Sequence, residues 1–134
     1  MSIILGINAN HADSSACILV DGKLEVALEE ERINRKKHWA GLPQESVSKC
    51  LEVLNLKFLD ITDIAINTKP NSNLIKKIPF FLKNYILGKK KYEIIERYKN
   101  RLFFKKSLLK EFQIKTNKKL KFHKIEHHLA HIAS

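Results

Sequence analysis

Short hydrophobic runs separated by polar turns make up the start of the chain. Residues 3–9 (IILGINA) and 16–20 (ACILV) are mainly apolar, and residues 23–28 (KLEVAL) alternate between polar and apolar side chains. Runs of this length and alternation are typical of β-strands. Asp21-Gly22 lies between the second and third runs and is a strong signal for a tight hairpin turn. The pattern predicts a meander of three strands with a polar loop between the first two.

The periodicity becomes helical after this meander. A helix is predicted to begin at Leu42-Pro43, because proline suits a first helical turn. Apolar residues follow at helical spacing at Val47, Cys50, Leu51 and Leu54. Further along, the pattern predicts a strand over residues 63–68, helices over 74–87 and 92–112, a short strand over 120–123 and another helix from Glu126.

This order of elements indicates the fold class. A three-strand meander followed by strands with helical crossovers predicts an α/β fold, with a mixed sheet flanked by helices on one or both faces. The half-domain of the actin-like ATPases has this layout, but periodicity alone does not separate it from other α/β folds.

Composition narrows the class of protein. The 134 residues are 44% hydrophobic, which suffices for one domain with a real core. Cys17 and Cys50 show no CxxC spacing, so we expect small buried thiols in a reducing compartment. The N-terminus lacks a signal-peptide pattern, and no apolar run approaches the ~20 residues that a membrane span needs. We therefore expect a cytoplasmic protein with no membrane contact.

The net charge of +11 is concentrated in one stretch. Residues 69–124 contain 18 Lys or Arg against 3 Glu, whereas the rest of the chain contains 7 basic and 11 acidic residues. A solvated helical face and a surface for nucleic acid both fit such a stretch. Only four of the basic residues are Arg, and lysine lacks the bidentate geometry of arginine. The pattern therefore favours a solvated face over a nucleic-acid surface.

Three segments carry candidate chemistry. His127 and His131 are spaced i, i+4, so on a helix their Cβ atoms lie about 5–6 Å apart and both imidazoles can bind one Zn²⁺ or Fe²⁺ ion. A merely exposed, His-rich start of a helix fits the same spacing. The pair lacks the Glu of HExxH, which argues against a metalloprotease.

The second segment is the polar loop after the first strand, which contains His11, Asp13 and Ser14. Such a loop can offer N–H groups and hydroxyls to a phosphate, with His11 as a general base. Turn chemistry without a ligand is the alternative. The third segment runs from Glu29 to Pro43 and turns from acidic to basic. It forms either a solvated face of ion pairs or, through residues 35–38, a binding site for an anionic substrate.

Together these segments resemble the carbamoyltransferase family that acts on nodulation factors and antibiotics. The stretch ILGINANHADSSACILVDGKLEVALEEERINRKKHWAGLPQESV resembles the family's N-terminal block, and IEHHLAHIAS resembles its metal-binding helix. The resemblance is dense over residues 1–55 and 123–134 and thin over the lysine-rich middle. No piece is specific alone, but the combination in this order is.

The resemblance implies a partial actin-like ATPase (ribonuclease H-like) domain. In the complete enzyme, a C-terminal domain of the same chain makes carbamoyl-adenylate from carbamoyl phosphate and ATP. The N-terminal domain then transfers the carbamoyl group to a hydroxyl of a sugar-like or antibiotic acceptor. The family's metal, usually iron, is held by the two His of the helix and by Asp residues further along.

Carried over by position, His127 and His131 match the metal pair, and His11 matches the family's base for the acceptor hydroxyl. Asp13 and Ser14 match the adjoining polar residues, although Ala12 interrupts the usual His-Asp order and leaves the role of Asp13 open. The predicted contacts for the anionic substrate and its phosphate are Asp13, Ser14, Lys37 and His38. We expect the divalent metal to be iron or zinc.

The resemblance also implies that residues 1–134 are an incomplete N-terminal domain, without the adenylate-forming domain. We expect such a chain to be catalytically silent alone. Two alternatives stay open: an RNA-binding or tRNA-linked threonylcarbamoyl-type module that uses the lysine-rich stretch, and a non-catalytic fragment that completes its fold with a partner chain.

Overall fold

The predicted meander is present in the computed structural model, which describes residues 1–10, 12–67, 104–112 and 120–125. Its strands are β1 (Ile3–Asn8), β2 (Ser15–Val20) and β3 (Lys23–Glu29). Asp21 and Gly22 form the turn between β2 and β3 with φ of 49° and 85°. Positive φ at both central residues is what a tight right-twisted hairpin requires, so the Asp-Gly signal predicted this turn correctly.

The remaining described elements extend the sheet and cover it. They are α1 (Glu30–Asn34), α2 (Gln44–Val53), a 3₁₀ turn (Phe58–Asp60), β4 (Asp63–Ile66), α3 (Phe104–Glu111) and β5 (Lys121–Lys124). The strand order is β3-β2-β1-β4-β5. Strand β1 pairs antiparallel with β2, and β2 with β3, whereas β4 lies parallel to both β1 and β5. The predicted mixed sheet is therefore confirmed.

One face of the sheet holds the core. Alternate residues of the central strands are buried there, which is the two-residue period of a half-covered sheet. The cluster joins these strand residues to side chains of α2 and α3: Ile3, Leu5, Ile7, Ala16, Ile18, Ile64, Ile66, Val47, Cys50, Leu51 and Leu108. The ring of Phe112, at the end of α3, stacks on Phe58 with the centroids 4.9 Å apart. Both helices thus pack on the same face.

The structure also sharpens the predicted boundaries. Helix α2 begins one residue after Pro43, which occupies the N-cap position. The charged stretch after β3 contains a short helix, α1, and then a loop. Within the predicted helix over 92–112, the described part is α3. The predicted helices over 74–87 and from Glu126 lie outside the described residues. None of the helices in the described parts is long and apolar enough to cross a membrane.

Candidate functional site

The carboxyl ends of the parallel strands meet at one edge of the sheet, where ligands of α/β proteins commonly bind. Asn8 ends β1, and Asn67 follows β4. The amide Nδ2 of Asn67 donates to Oδ1 of Asn8 over 2.8 Å, and Nδ2 of Asn8 donates to the carbonyl oxygen of Asp13 over 2.9 Å. Two side-chain amides therefore tie β4 and β1 to the loop that follows β1.

That loop (residues 9–14, the first loop) lies directly against residues 35–42 (the basic segment). The N–H of Asn10 donates to the carbonyl of Gly41 over 3.3 Å, and the N–H of Ser14 donates to the carbonyl of Trp39 over 3.0 Å. The hydroxyl of Ser14 also donates to the carbonyl of Gly41, over 2.8 Å. The two segments that the sequence offered as separate candidates thus form one structure.

A cluster of ionisable side chains spans this junction. Nδ1 of His38 lies 3.0 Å from Oδ1 of Asp13, and the backbone N–H of His38 donates to Oε2 of Glu31 over 3.2 Å. The ligand atoms of Asp13, Glu31 and His38 all lie within 4.8 Å of one another. The first loop, α1 and the basic segment each contribute one of these side chains.

Helix α1 is held in place by a buried carboxylate. Glu30 is only 2% exposed, and its oxygens accept hydrogen bonds from the backbone N–H groups of Glu45 (3.1 Å) and Ser46 (2.7 Å) at the start of α2. The N–H of Glu30 donates to the carbonyl of Ser14 over 2.9 Å. Glu30 therefore connects the first loop to α2, and the sequence analysis did not single it out, because three consecutive glutamates look alike in the sequence.

The predicted site residues have different surroundings. Asp13 and His38, predicted to bind the anionic substrate, lie together at the surface. Ser14 is 1% exposed and its hydroxyl is engaged by Gly41, so in this structure it anchors the loop. Lys37 is exposed. His11, predicted to be catalytic, and His127 and His131, predicted to bind a metal, lie outside the described residues. These roles stay predictions.

A cavity opens on the sheet face opposite α2. Its volume is about 870 Å³, and its lining includes Gly6, Cys17 and Ala65, with Asn8 and Asn67 at the carboxyl edge. Burial raises the pKa of the Cys17 thiol, which disfavours a thiolate. An apolar lining with a few convergent polar groups is typical of small-molecule sites. The amide Oδ1 of Asn67 is buried and accepts no hydrogen bond from the described residues.

The lysine-rich stretch is described only in part. Five of its lysines are exposed on α3 and β5: Lys105, Lys106, Lys110, Lys121 and Lys124. Nζ of Lys105 lies 4.6 Å from the centroid of the Phe122 ring. A lysine stem lying over an aromatic ring is usual for a solvated surface. Most of this stretch, and with it the RNA-binding alternative, lies outside the described residues.

Comparisons with known proteins agree with the sequence pattern. The chain matches the family described as Carbamoyltransferase N-terminus over residues 3–134. It is 37% identical over 70 residues to the uncharacterized protein sll1178 of Synechocystis sp. (strain ATCC 27184 / PCC 6803 / Kazusa), which covers 52% of this chain and 11% of that protein. It is 43% identical over 53 residues to the nodulation protein NolNO of Sinorhizobium fredii (strain NBRC 101917 / NGR234), covering 40% and 8% respectively.

A solved structure was also found: YeaZ from Pseudomonas aeruginosa has a TM-score of 0.39 and 15% identity, over 66% of this chain and 41% of that one. The chain spans about a tenth of the length of the curated relatives that it matches. Because the family match extends over nearly all of its residues, this chain belongs to the carbamoyltransferase family, to the part described as its N-terminus.

Proposed function

We propose that this chain is the N-terminal part of an O-carbamoyltransferase. The enzyme takes a carbamoyl group from carbamoyl-adenylate, made from carbamoyl phosphate and ATP, and attaches it to a hydroxyl of a sugar-like or antibiotic acceptor. The observation that carries this proposal is the family match over residues 3–134. The anchored first loop, at the carboxyl edge of the sheet, supports it.

His11 is the proposed general base. It belongs to the first loop, whose neighbouring residues Asn10 and Ser14 are tied by hydrogen bonds to Gly41 and Trp39. The acceptor hydroxyl loses its proton to the imidazole as its oxygen attacks the carbamoyl carbon. The bond from that carbon to the AMP oxygen breaks, and AMP leaves with the electron pair. General base catalysis of this kind contributes about 10²–10⁴-fold.

The basic segment is the proposed contact for the phosphate of the donor. Lys37 is exposed, and His38 lies beside the first loop through its contact with Asp13. The neighbouring Lys36 lies over the Trp39 ring, with its Nζ 5.1 Å from the ring centroid. Among the described residues, Lys37 makes no such contact with an aromatic ring. Positive charge at this edge attracts an anionic donor and stabilises the phosphate that leaves.

The predicted metal pair follows β5 in sequence. The N–H of Ile125 donates to the carbonyl of Ile66 over 2.8 Å, so the chain leaves β5 at the carboxyl edge of β4. Two imidazoles from His127 and His131 are donors that suit iron or zinc. A metal held by these residues would act as a Lewis acid toward the donor's oxygens.

The direct test uses the full-length protein that contains this chain. Carbamoyl phosphate labelled in the carbamoyl carbon is supplied with ATP, together with a panel of aminoglycosides and sugars. We expect release of phosphate from carbamoyl phosphate and of pyrophosphate from ATP, formation of AMP and transfer of label to an acceptor. His11→Asn should slow the transfer at least about 100-fold and leave carbamoyl-adenylate formation intact.

The matched control is His123→Gln, which removes another imidazole of this domain away from the first loop. It should keep wild-type transfer. A wild-type protein that releases no pyrophosphate from ATP in the presence of carbamoyl phosphate would contradict the proposed donor chemistry, whatever the acceptor. An unchanged transfer rate in His11→Asn would contradict the proposed base.

A further inference from the structure

Asp13, Glu31 and His38 converge from three separate parts of the chain. Oxygen atoms of the two carboxylates and a ring nitrogen of the imidazole lie within 4.8 Å of one another. The closest pair, Oδ1 of Asp13 and Nδ1 of His38, is 3.0 Å apart. Two oxygens and one imidazole nitrogen are a ligand set that divalent first-row metals accept.

The spacing of these atoms suits a cation between them. Ligand atoms bound at about 2.0–2.2 Å lie roughly 3 Å apart when adjacent on an octahedron and roughly 4.2 Å apart when opposite. The Asp13–His38 distance matches an adjacent pair, and no two ligand atoms of the triad are more than 4.8 Å apart. Small side-chain rotations therefore bring all three ligands to bonding distance.

The charge balance at the triad favours a cation. Among the described residues, neither Asp13 nor Glu31 forms an ion pair with a lysine or arginine, although the whole chain has a net charge of +11. The nearby cation Lys36 lies over the Trp39 ring instead. Two carboxylates held this close repel each other unless a proton or a metal ion lies between them. His38 supplies at most one positive charge.

The surrounding backbone fixes the three ligands. The carbonyl of Asp13 accepts the amide of Asn8, and the next residue, Ser14, is bonded to Trp39. The N–H of His38 donates to Glu31 itself, which orients the Glu31 carboxylate. The side chains of His38 and Asp13 are 76% and 54% exposed, so water has access to complete the coordination of an ion. Three protein ligands with open positions are the arrangement of a hydrated site rather than a closed structural one.

We propose that Asp13, Glu31 and His38 form a binding site for a hydrated divalent cation of the Mn²⁺ to Zn²⁺ series. This site shares no residue with the predicted His127 and His131 pair and does not depend on the proposed function. A cation bound here lies at the surface of the first loop, beside the position of His11 in the chain. It adds positive charge where an anionic ligand approaches.

The test measures Mn²⁺ binding by electron paramagnetic resonance, because free hydrated Mn²⁺ gives a sharp signal in solution that is lost on binding. The protein carries His127→Ala and His131→Ala, so that the predicted metal pair does not contribute. We expect a single Mn²⁺ ion to bind this protein. Adding Asp13→Asn, Glu31→Gln or His38→Gln should weaken its binding at least about tenfold.

Matched controls change the same residue types outside the triad: Asp60→Asn, Glu29→Gln and His123→Gln. They should bind Mn²⁺ as tightly as the background protein. Absence of Mn²⁺ binding in the background protein would overturn the proposal, and so would equal binding by the triad variants and the controls.

A second readout does not depend on the triad variants being folded. The electron spin echo of Mn²⁺ bound to the background protein should show modulation from a directly bound imidazole nitrogen, as expected for the ring of His38. A bound ion without this nitrogen modulation would place the ion elsewhere and overturn the assignment. None of these measurements uses carbamoyl transfer, so their failure leaves the proposed function untouched.

Discussion

Glu30 and Ser46 are joined by a hydrogen bond of 2.7 Å from the backbone N–H of Ser46 to the buried carboxylate of Glu30. The other carboxylate oxygen accepts the N–H of Glu45. The first N–H groups of a helix have no partner within that helix, so a buried carboxylate from elsewhere in the chain satisfies them and complements the helix dipole. This contact sets the position of α1, and with it that of Glu31, relative to α2.

Replacing Glu30 should therefore destabilise the fold. Glu30→Ala leaves two backbone donors without partners, and we expect the free energy of unfolding to fall by about 1–3 kcal/mol, measured by chemical denaturation. The matched control is Glu29→Ala, because among the described residues the Glu29 side chain forms only an exposed ion pair with Arg32. That change should stay within about 0.5 kcal/mol. Equal losses in the two variants would contradict a capping role for Glu30.

Gly6 is predicted to tolerate no larger residue while Cys17 is present. A Cβ at position 6 would lie 2.6 Å from Sγ of Cys17 on the neighbouring strand. Gly6→Ala should therefore lower the free energy of unfolding by about 1–3 kcal/mol through overpacking. In a Cys17→Ala background most of that loss should disappear, because the opposing sulfur is gone.

Gly22→Ala is the control for this comparison of Gly6→Ala with and without Cys17. Gly22 has open space around its Cα but a φ of +85°, so alanine is strained there by its backbone. Its loss of stability should be the same with and without Cys17. If Gly6→Ala lowers the free energy of unfolding equally with and without Cys17, the steric explanation is refuted.

Asp63 should make stability depend on pH in the acid range. The hydrogen bond to the His123 side chain, 2.7 Å long, is the main cause that lowers the pKa of Asp63 from its ordinary value of 3.8, and the Thr62 side chain lowers it further. A folded-state pKa below the unfolded one adds stability that is complete above about pH 4 and is lost as the pH falls toward the folded pKa.

Denaturation curves at successive pH values check this expectation. The stability advantage of the wild type over Asp63→Asn should shrink as the pH falls below about 4. His123→Gln removes the main cause that lowers the pKa of Asp63, so its loss of stability in acid should be smaller than that of the wild type. A difference between wild type and Asp63→Asn that is constant over this range would show that Asp63 titrates normally.

Cys50 should be chemically inert in the folded protein. Burial, with the nearby Cys17 as a smaller cause, raises the pKa of Cys50 from 9.0 to about 11. At pH 8 its thiolate fraction is then about a hundredfold below that of an ordinary cysteine, and thiolate is the reactive form.

Iodoacetamide labelling of a Cys17→Ala protein isolates this thiol. The rate for Cys50 in the native protein should be at least about tenfold below the rate in denaturant. The Cys50→Ala protein reports on Cys17, which is only partly buried and should react faster than Cys50. Native and denatured rates that are equal for Cys50 would contradict its burial.

The sequence predicted most of the described secondary structure because the responsible signals are local. The alternation over β1 to β3 and the Asp-Gly turn depend on residues within a few positions of each other. Helix α2 was predicted for the same reason, since its buried residues Val47, Cys50 and Leu51 repeat with the helical period. For β4, the sequence predicted only that it belongs to a mixed sheet. Its parallel pairing with β1 was not predicted, because such pairing joins segments that are distant in the chain.

The arrangement of the candidate site, in contrast, was not predicted from local sequence signals. The sequence offered Asp13 and His38 in two separate segments, and only the tertiary structure placed them 3.0 Å apart. It also added Glu31 to them, and Asn67 to the carboxyl edge, which no local pattern distinguishes from other polar residues.

The sequence by itself therefore determined the strands, the hairpin turn, the main helix and the family, because short-range periodicity and ordered motifs carry that information. The tertiary structure alone decided which polar residues meet. It buried the Glu30 carboxylate against the start of α2 and turned the Ser14 hydroxyl toward Gly41. The physical reason is that these contacts join residues far apart in the chain, and packing the strands and helices around one core is what brings such residues within hydrogen-bond distance.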